Sequence, residues 1–340
     1  MSQVLLGAVP PACAAMARNE FPQGLLTSAE PAAPNPLNIG LLNLMPTKEV
    51  TERQWLRLLL SADYSHPLRL HLLKLNSWRS THVNPLHMSR YYQTIENALL
   101  ANQLDVLIIT GAPLGRMEYS AVGYWPELTA LMCELEVRSI PVLFSCWAAQ
   151  AALYHLYGIP TLRREDKLSG VFTQQVLAAS GYPASRRSQR LAVTLSDLNH
   201  LDMPKSRFAL PDPAALAQRL HPQQADYLLT VNIPHATRPP ADAGSTSVKR
   251  PLTAILGSQQ TGISVLSDEC KGHLFMLGHP EYENDTLALE YTRDLAHNPA
   301  TPAPLNYQLP AAKGAGLVQT QSAQWQALGA ALIENWLTYR

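Results

Sequence analysis

Short apolar runs, each followed by a stretch of helix formers, set the tightest limit on what this chain can fold into. The runs at 37–44, 68–73, 106–110 and 141–145 are rich in Leu, Ile and Val, as strands buried on both faces are. Helical stretches lie between them: from Pro46-Thr47-Lys48-Glu49 to about Ala62, about Ser89 to Asn102, and Trp125 to Val137. Strands alternating with helices predict right-handed crossovers and an α/β parallel sheet with helices on both faces. Strand character returns at 263–266 and 273–277, a helix is expected over 286–296, and residues 322–337 read as a closing helix. Residues 1–35, rich in Ala and Pro, read as an N-terminal arm, irregular or with one short helix; residues 36–340 read as a single α/β domain. A Pro-rich insertion near 234–251 has the composition of a surface loop.

Composition narrows the function classes. Hydrophobic residues are 46% of the 340 and charged ones 15%, enough for a large core and too apolar for disorder. Lys and Arg number 26 against 26 Asp and Glu, so no basic surface advertises nucleic acid. The cysteines Cys13, Cys133, Cys146 and Cys270 form no CxxC pair, which fits a reducing compartment. The first residues lack the basic segment of a secretory signal, and no apolar run approaches the roughly 20 residues that span a bilayer. The expectation is a soluble cytoplasmic enzyme with no nucleic-acid or membrane partner.

Ligands of parallel sheets bind at the carboxyl ends of the strands. Residues 43–48, 111–115 and 146–147 fall at such ends, and 279–281 follow a later strand, so these segments should meet in one crevice. Cys146 ends the run Pro141-Val142-Leu143-Phe144-Ser145 and opens Trp147-Ala148-Ala149-Gln150-Ala151-Ala152-Leu153. A strand-to-helix switch is the elbow on which α/β enzymes expose a nucleophile, and a helix N-terminus stabilises a thiolate. The competing reading is a buried core cysteine. His279-Pro280-Glu281 tips the balance: in an extended segment the His and Glu side chains leave the same face, and Pro280 stiffens the link. A base oriented by a carboxylate completes the logic of a catalytic triad with Cys in place of Ser. The Trp147 N–H and a backbone N–H within 111–115 are candidate oxyanion donors. Lys48 is placed to meet a carboxylate or the oxyanion, and Arg293 to hold a substrate carboxylate bidentately. A solvated surface position is the alternative for each. A thiolate suits a thioester substrate, with a hydroxyl acceptor activated by the same His.

The motifs Asn43-Leu44-Met45-Pro46, Thr110-Gly111-Ala112-Pro113-Leu114-Gly115, Tyr124-Trp125-Pro126, Cys146-Trp147-Ala148-Ala149-Gln150, Tyr157-Gly158-Ile159-Pro160, Lys167-Leu168-Ser169-Gly170-Val171 and Gly278-His279-Pro280-Glu281-Tyr282 occur in this order. With Asn335-Trp336-Leu337 they make the chain, from about residue 36 to its end, closely resemble the homoserine O-acyltransferases of methionine biosynthesis. The resemblance implies a class I glutamine-amidotransferase-like (flavodoxin-like) α/β fold. It implies ping-pong acyl transfer from acyl-CoA to the hydroxyl of L-homoserine, with no metal, no cofactor beyond the co-substrate, and a homodimer. It implies Cys146 as the acyl-thioester nucleophile, His279 as base, Glu281 as its partner, and Lys167, Ser206 and Arg293 as substrate-binding residues. Gly115 matches the position that sets the acyl donor. Glycine there goes with succinyl-CoA, because it leaves room for the longer group; glutamate goes with acetyl-CoA, filling that space and repelling the succinyl carboxylate.

The span from Ser206 to His279 is longer than is usual in that family, and Lys205 stands where relatives carry His. Acetyl-CoA as donor, or a related hydroxy-amino acid such as L-serine as acceptor, is the alternative on the same chemistry. A glutamine amidotransferase would use a similar Cys and His-Pro-Glu but places glycines in a G-x-C-x-G elbow; here Phe144-Ser145-Cys146-Trp147-Ala148 has none. A non-catalytic scaffold would be expected to have lost His279 or Glu281.

Overall fold

A computed structural model describes residues 2–27, 35–78, 83–177, 186–230, 236–237, 250–309 and 319–339. In chain order the strands are β1 Val4–Leu6, β2 Leu25–Thr27, β3 Leu37–Leu42, β4 Leu68–Lys74, β5 Gln93–Thr94, β6 Val106–Ile109 and β7 Val142–Ser145. They continue with β8 Thr161–Thr173, β9 Gln175–Val176, β10 Asp202–Pro211, β11 Ala236–Thr237, β12 Thr253–Ser258, β13 Gly262–Asp268 and β14 His273–Met276. The helices are α1 Pro11–Glu20, α2 Lys48–Ser61, α3 Pro85–Tyr91, α4 Ile95–Leu100, α5 Trp125–Arg138 and α6 Trp147–Tyr157. After these come α7 Arg186–Ser196, α8 Pro213–Ala217, α9 Pro222–Thr230, α10 Thr286–His297 and α11 Gln319–Thr338.

The main sheet runs β2-β1-β4-β3-β6-β7-β14-β13-β12-β9, with β5 beside β4. From β2 to β14 every pairing is parallel. The expectation of a parallel sheet stops there, because β13, β12 and β9 add antiparallel strands. The physical reason is the link between β12 and β13. It is a tight turn, closed by the Thr261 N–H on the Ser258 carbonyl, with Gly262 at φ 75°, and it has no room for the crossover a parallel neighbour needs.

Alternate residues of the central strands feed opposite layers. In β6, Val106 and Ile108 pack with Trp55 and Leu59 of α2 and Trp336 of α11, while Leu107 and Ile109 pack with Leu131 of α5 and Leu153 of α6. β6 is therefore apolar throughout, as a strand covered on both faces requires.

Two expectations need correction. The polar helix read over 89–102 is α3 and α4, broken at β5, because Tyr92 leaves the helix to bury its ring and donate to Glu52 at 2.5 Å. Residues 1–35, read as an arm that is irregular or carries one short helix, do carry a short helix, α1, but in their described part they are also a piece of the sheet: β1 pairs with β4 on one side and β2 on the other. Its residues Val4, Leu5 and Leu6 are buried, and Cys13, Met16 and Ala17 of α1 close over the same layer. Three residues are too few to show strand periodicity, which is why composition misled. The Pro-rich insertion near 234–251 lies outside the described residues, apart from β11 and Arg250-Pro251.

A smaller antiparallel sheet, β10-β8-β11, leans over the carboxyl ends of the main strands. Its β10 is tied to the loop after β14, where the His279 N–H donates to the Pro204 carbonyl at 2.8 Å. A Cβ on Gly278 would lie 2.3 Å from Met203 Sδ and 3.1 Å from the Pro204 carbonyl oxygen, so a larger residue would force the Met203 side chain to move and crowd β10.

If β1 is core and not arm, Leu6→Ala should cost about 2–4 kcal/mol of unfolding free energy. Urea denaturation measures this, and a loss below roughly 0.5 kcal/mol, the range of surface substitutions, would restore the arm.

Candidate active site

Cys146 joins β7 to α6 with φ 47° and ψ −108°, a backbone conformation that side-chain-bearing residues rarely adopt. Neighbouring hydrogen bonds fix it: the Cys146 N–H donates to the Met276 carbonyl at 2.7 Å, and the Gln150 N–H to the Cys146 carbonyl at 3.1 Å. Gly111 at the end of β6 supplies the room, since a Cβ there would sit 3.2 Å from Cys146 Cβ and 3.7 Å from the Trp147 nitrogen. The Trp147 N–H, expected as an oxyanion donor, thus opens the first turn of α6 with only bare backbone beside it.

Residues 279–282 form a turn, not the extended segment expected. The Tyr282 N–H bonds back to the His279 carbonyl at 3.2 Å, with Pro280 in the second position that its fixed φ favours. The turn folds Glu281 back so that Oε1 lies 2.8 Å from His279 Nδ1, while Nε2 is left without a hydrogen-bond partner, next to the Cys146 sulfur. Tyr282 stacks on the imidazole at 4.2 Å. Burial opposes a charge on this ring, but the sulfur of Cys146 and the carboxylate of Glu281 outweigh it and raise the His279 pKa well above its usual value. The arrangement favours the protonated imidazole.

A cavity of about 260 Å³ opens at this point, lined by Cys146, His279 and Glu281 together with Gly111, Gly115, Trp147, Lys167, Ser206 and Arg293. The expected convergence of segments is present. Lys167 Nζ donates to Glu290 Oε2 at 2.8 Å and to Asp294 Oδ2 at 2.7 Å; Ser206 Oγ also donates to Glu290, and Arg293 forks onto Asp294 Oδ1. Glu290 is the hub that the sequence reading missed. Burial alone would raise its pKa, but Lys167, Ser206 and Tyr282 bring it below the usual carboxylate value. Its signal was its spacing: it precedes Arg293 by three residues on α10, so both share one helix face. Arg207, also on the cavity wall, was missed because a charged residue in a strand ordinarily faces solvent.

Lys48 is the exception. It does not line the cavity; its Nζ donates to the Asn43 carbonyl and lies 3.6 Å from the centre of the Trp78 ring. Asn43 Nδ2 in turn donates to Tyr92 Oη at 2.9 Å, and His87 Nε2 lies 2.8 Å from Glu52 Oε1. Starting helix α2 at Lys48 itself turns the side chain inward, beneath the loop that continues into it. Among the described residues no group of three or more His, Cys, Asp or Glu is arranged to hold a metal ion, and no helix is long and apolar enough to cross a membrane.

Comparison with known proteins gives the frame for this geometry. The chain matches a family model described as homoserine O-succinyltransferase over residues 10–221 and 216–340. It is 31% identical over 316 residues to a homoserine O-succinyltransferase of Pseudoalteromonas translucida, covering 92% of this chain and 84% of that one. It is 33% identical over 304 residues to the protein of the same description from Yersinia pestis, covering 89% and 83%. Among solved structures, glutamine amidotransferases from Methylobacillus flagellatus and Thermotoga maritima align over 89% of this chain and 94% and 97% of their own, at TM-scores of 0.48 and 0.49 and 11% and 10% identity. The chain belongs to the homoserine O-succinyltransferase family, and it is an acyltransferase.

Lys48 carries a pH signature. Burial, only partly offset by Glu52, pushes its pKa from 10.5 down to about 7. Between those values the unfolded chain holds a proton that the folded chain has released, so stability should rise with pH across the window, by up to about 1.4 kcal/mol per pH unit. Lys48→Met should flatten that rise in urea denaturation at pH 7.5 and 9; equal slopes for the two proteins would contradict it.

Proposed function

We propose that this family member moves a succinyl group from succinyl-CoA to the hydroxyl of L-homoserine through a thioester on Cys146. The observation that carries the reading is the meeting, in one cavity, of an elbow cysteine with an unpartnered His279 Nε2 and a cluster of charged groups suited to an amino acid.

The thiolate attacks the thioester carbonyl carbon, and the carbonyl electrons move to oxygen, which the Trp147 N–H and the backbone of 111–115 stabilise. As the intermediate collapses, the C–S bond to coenzyme A breaks and the imidazolium of His279 protonates the departing thiolate. His279, now neutral, takes the proton of the incoming hydroxyl; the new C–O bond forms and the Cys146 sulfur leaves as thiolate, restoring the ion pair. Glu281 holds the Nδ1–H and so keeps Nε2 available. A zwitterionic acceptor needs an anion and a cation at fixed spacing, and Glu290 and Arg293, one turn apart on α10, offer both. Lys167 and Ser206 hold Glu290 in place. The cavity is large enough for the two reacting ends and leaves the nucleotide of coenzyme A outside.

Gly115 sets the donor by space. A Cβ there would meet Phe208 only at ordinary contact distances, 3.6 and 3.7 Å, so a side chain is tolerated and would fill the cavity instead of unfolding the protein. Gly115→Glu should shift the ratio of kcat/KM for succinyl-CoA over acetyl-CoA by roughly 10- to 100-fold toward acetyl. An unchanged ratio would remove the steric argument.

The decisive test is intact-mass spectrometry after mixing with succinyl-CoA, then with L-homoserine. One succinyl group should appear, be absent in Cys146→Ala, and be discharged by homoserine. If neither succinyl-CoA nor acetyl-CoA leaves an adduct, the function is reopened.

A further inference from the structure

Arg207 lies in β10 with only 5% of its surface exposed, on the wall of the cavity that holds Cys146. Its Nη2 donates to the Thr261 carbonyl at 2.8 Å. Nε and Nη1 have no hydrogen-bond partner. Among the described residues no carboxylate pairs with this guanidinium, whereas Lys167 on the same wall is neutralised by Glu290 and Asp294, and the more exposed Arg293 by Asp294. Leaving charged donors buried and unsatisfied is costly, so a fold that keeps them has a use for them.

The position of that charge matches the room left by Gly115. A Cβ on Gly115 would lie 3.6 and 3.7 Å from the Cβ and nitrogen of Phe208, the residue directly after Arg207. Gly115, Arg207 and Phe208 line the same cavity as Cys146.

We infer that Arg207 is the anchor for the distal carboxylate of a dicarboxylic acyl group, so that the donor is selected by charge as well as by length. This rests on the proposed succinyl transfer and adds a residue to it. Arg207 is prearranged by Thr261, and the incoming carboxylate supplies the acceptor that its free donors lack. A neutral chain of equal length fills the same room but leaves the buried guanidinium unpaired, at a cost that discriminates against it. A glutamate at position 115, placed beside the same segment, would supply a tethered carboxylate in place of the substrate's.

The test compares succinyl-CoA with butyryl-CoA, which has the same chain length without the carboxylate. Wild-type protein should favour succinyl-CoA in kcat/KM, and Arg207→Met should lower the succinyl-over-butyryl ratio by about 100-fold or more. Arg207→Lys, which keeps the charge without the fork, should retain part of the ratio. A fall of both substrates by the same factor, or an unchanged ratio, would overturn the assignment and leave Arg207 a structural residue. A second readout needs no turnover and no folded variant: free succinate should slow alkylation of wild-type Cys146 by iodoacetamide, and butyrate at the same concentration should not. Equal protection by the two acids would sink the inference. If succinate protects but succinyl-CoA leaves no adduct, the anion site stands and it is the proposed reaction that fails.

Discussion

Everything at the active site depends on one strained peptide. A cysteine at φ 47° is held at a cost of order 1–3 kcal/mol, and it persists only where its surroundings leave no alternative. Here they do not. β7 before it and α6 after it are buried almost completely, one as a central strand, the other wedged between the sheet and the helix α5. The sharp turn is the only path between two elements whose positions are fixed by packing. The position of the thiol is therefore a product of the core, and disturbing Phe144 or Leu153 would move the nucleophile without touching it.

The same economy governs the charges. The cavity wall carries Lys167, Arg207, Arg293, Glu281, Glu290 and His279, a density that open water would tolerate and a protein interior does not. Most are paired in advance: Glu290 alone accepts from Lys167, Ser206 and Tyr282. An entering zwitterion exchanges partners with an existing network and does not create one, so the desolvation has been met during folding. Pairing is incomplete at His279 Nε2 and at the Arg207 fork, among other buried atoms of the wall, and these two are where chemistry or recognition needs a free donor.

What could be read from the sequence follows from what is local. The central strands, α2, α5 and α10 and the elbow at Cys146 are written in short-range patterns, and the structure puts them where those patterns place them. The family resemblance supplied the residues that pattern could not, Lys167 and Ser206, which lie in the small sheet and reach the cavity only through β8–β10 pairing. Lys48 misled because a residue at a strand end is placed near a site by topology, while the direction of its side chain depends on where the next helix begins. Glu281 was identified with the wrong local geometry: the turn, and not an extended segment, brings it to His279. β1 was invisible because three residues have no period, and the strand that ties it to the rest of the sheet, β4, is more than sixty positions away.

That last separation has a consequence for how the chain acquires its shape. Val4 lies opposite Leu68, and the Ser2 N–H donates to the Ala62 carbonyl, so residues 2–6 depend on α2 and β4 for their place in the sheet. β4 in turn is held in place by β3 on its other side. β1 and β2 thus join the sheet through β4, covering an edge that would otherwise be open to another chain. A protein without that cover would be sticky along one side.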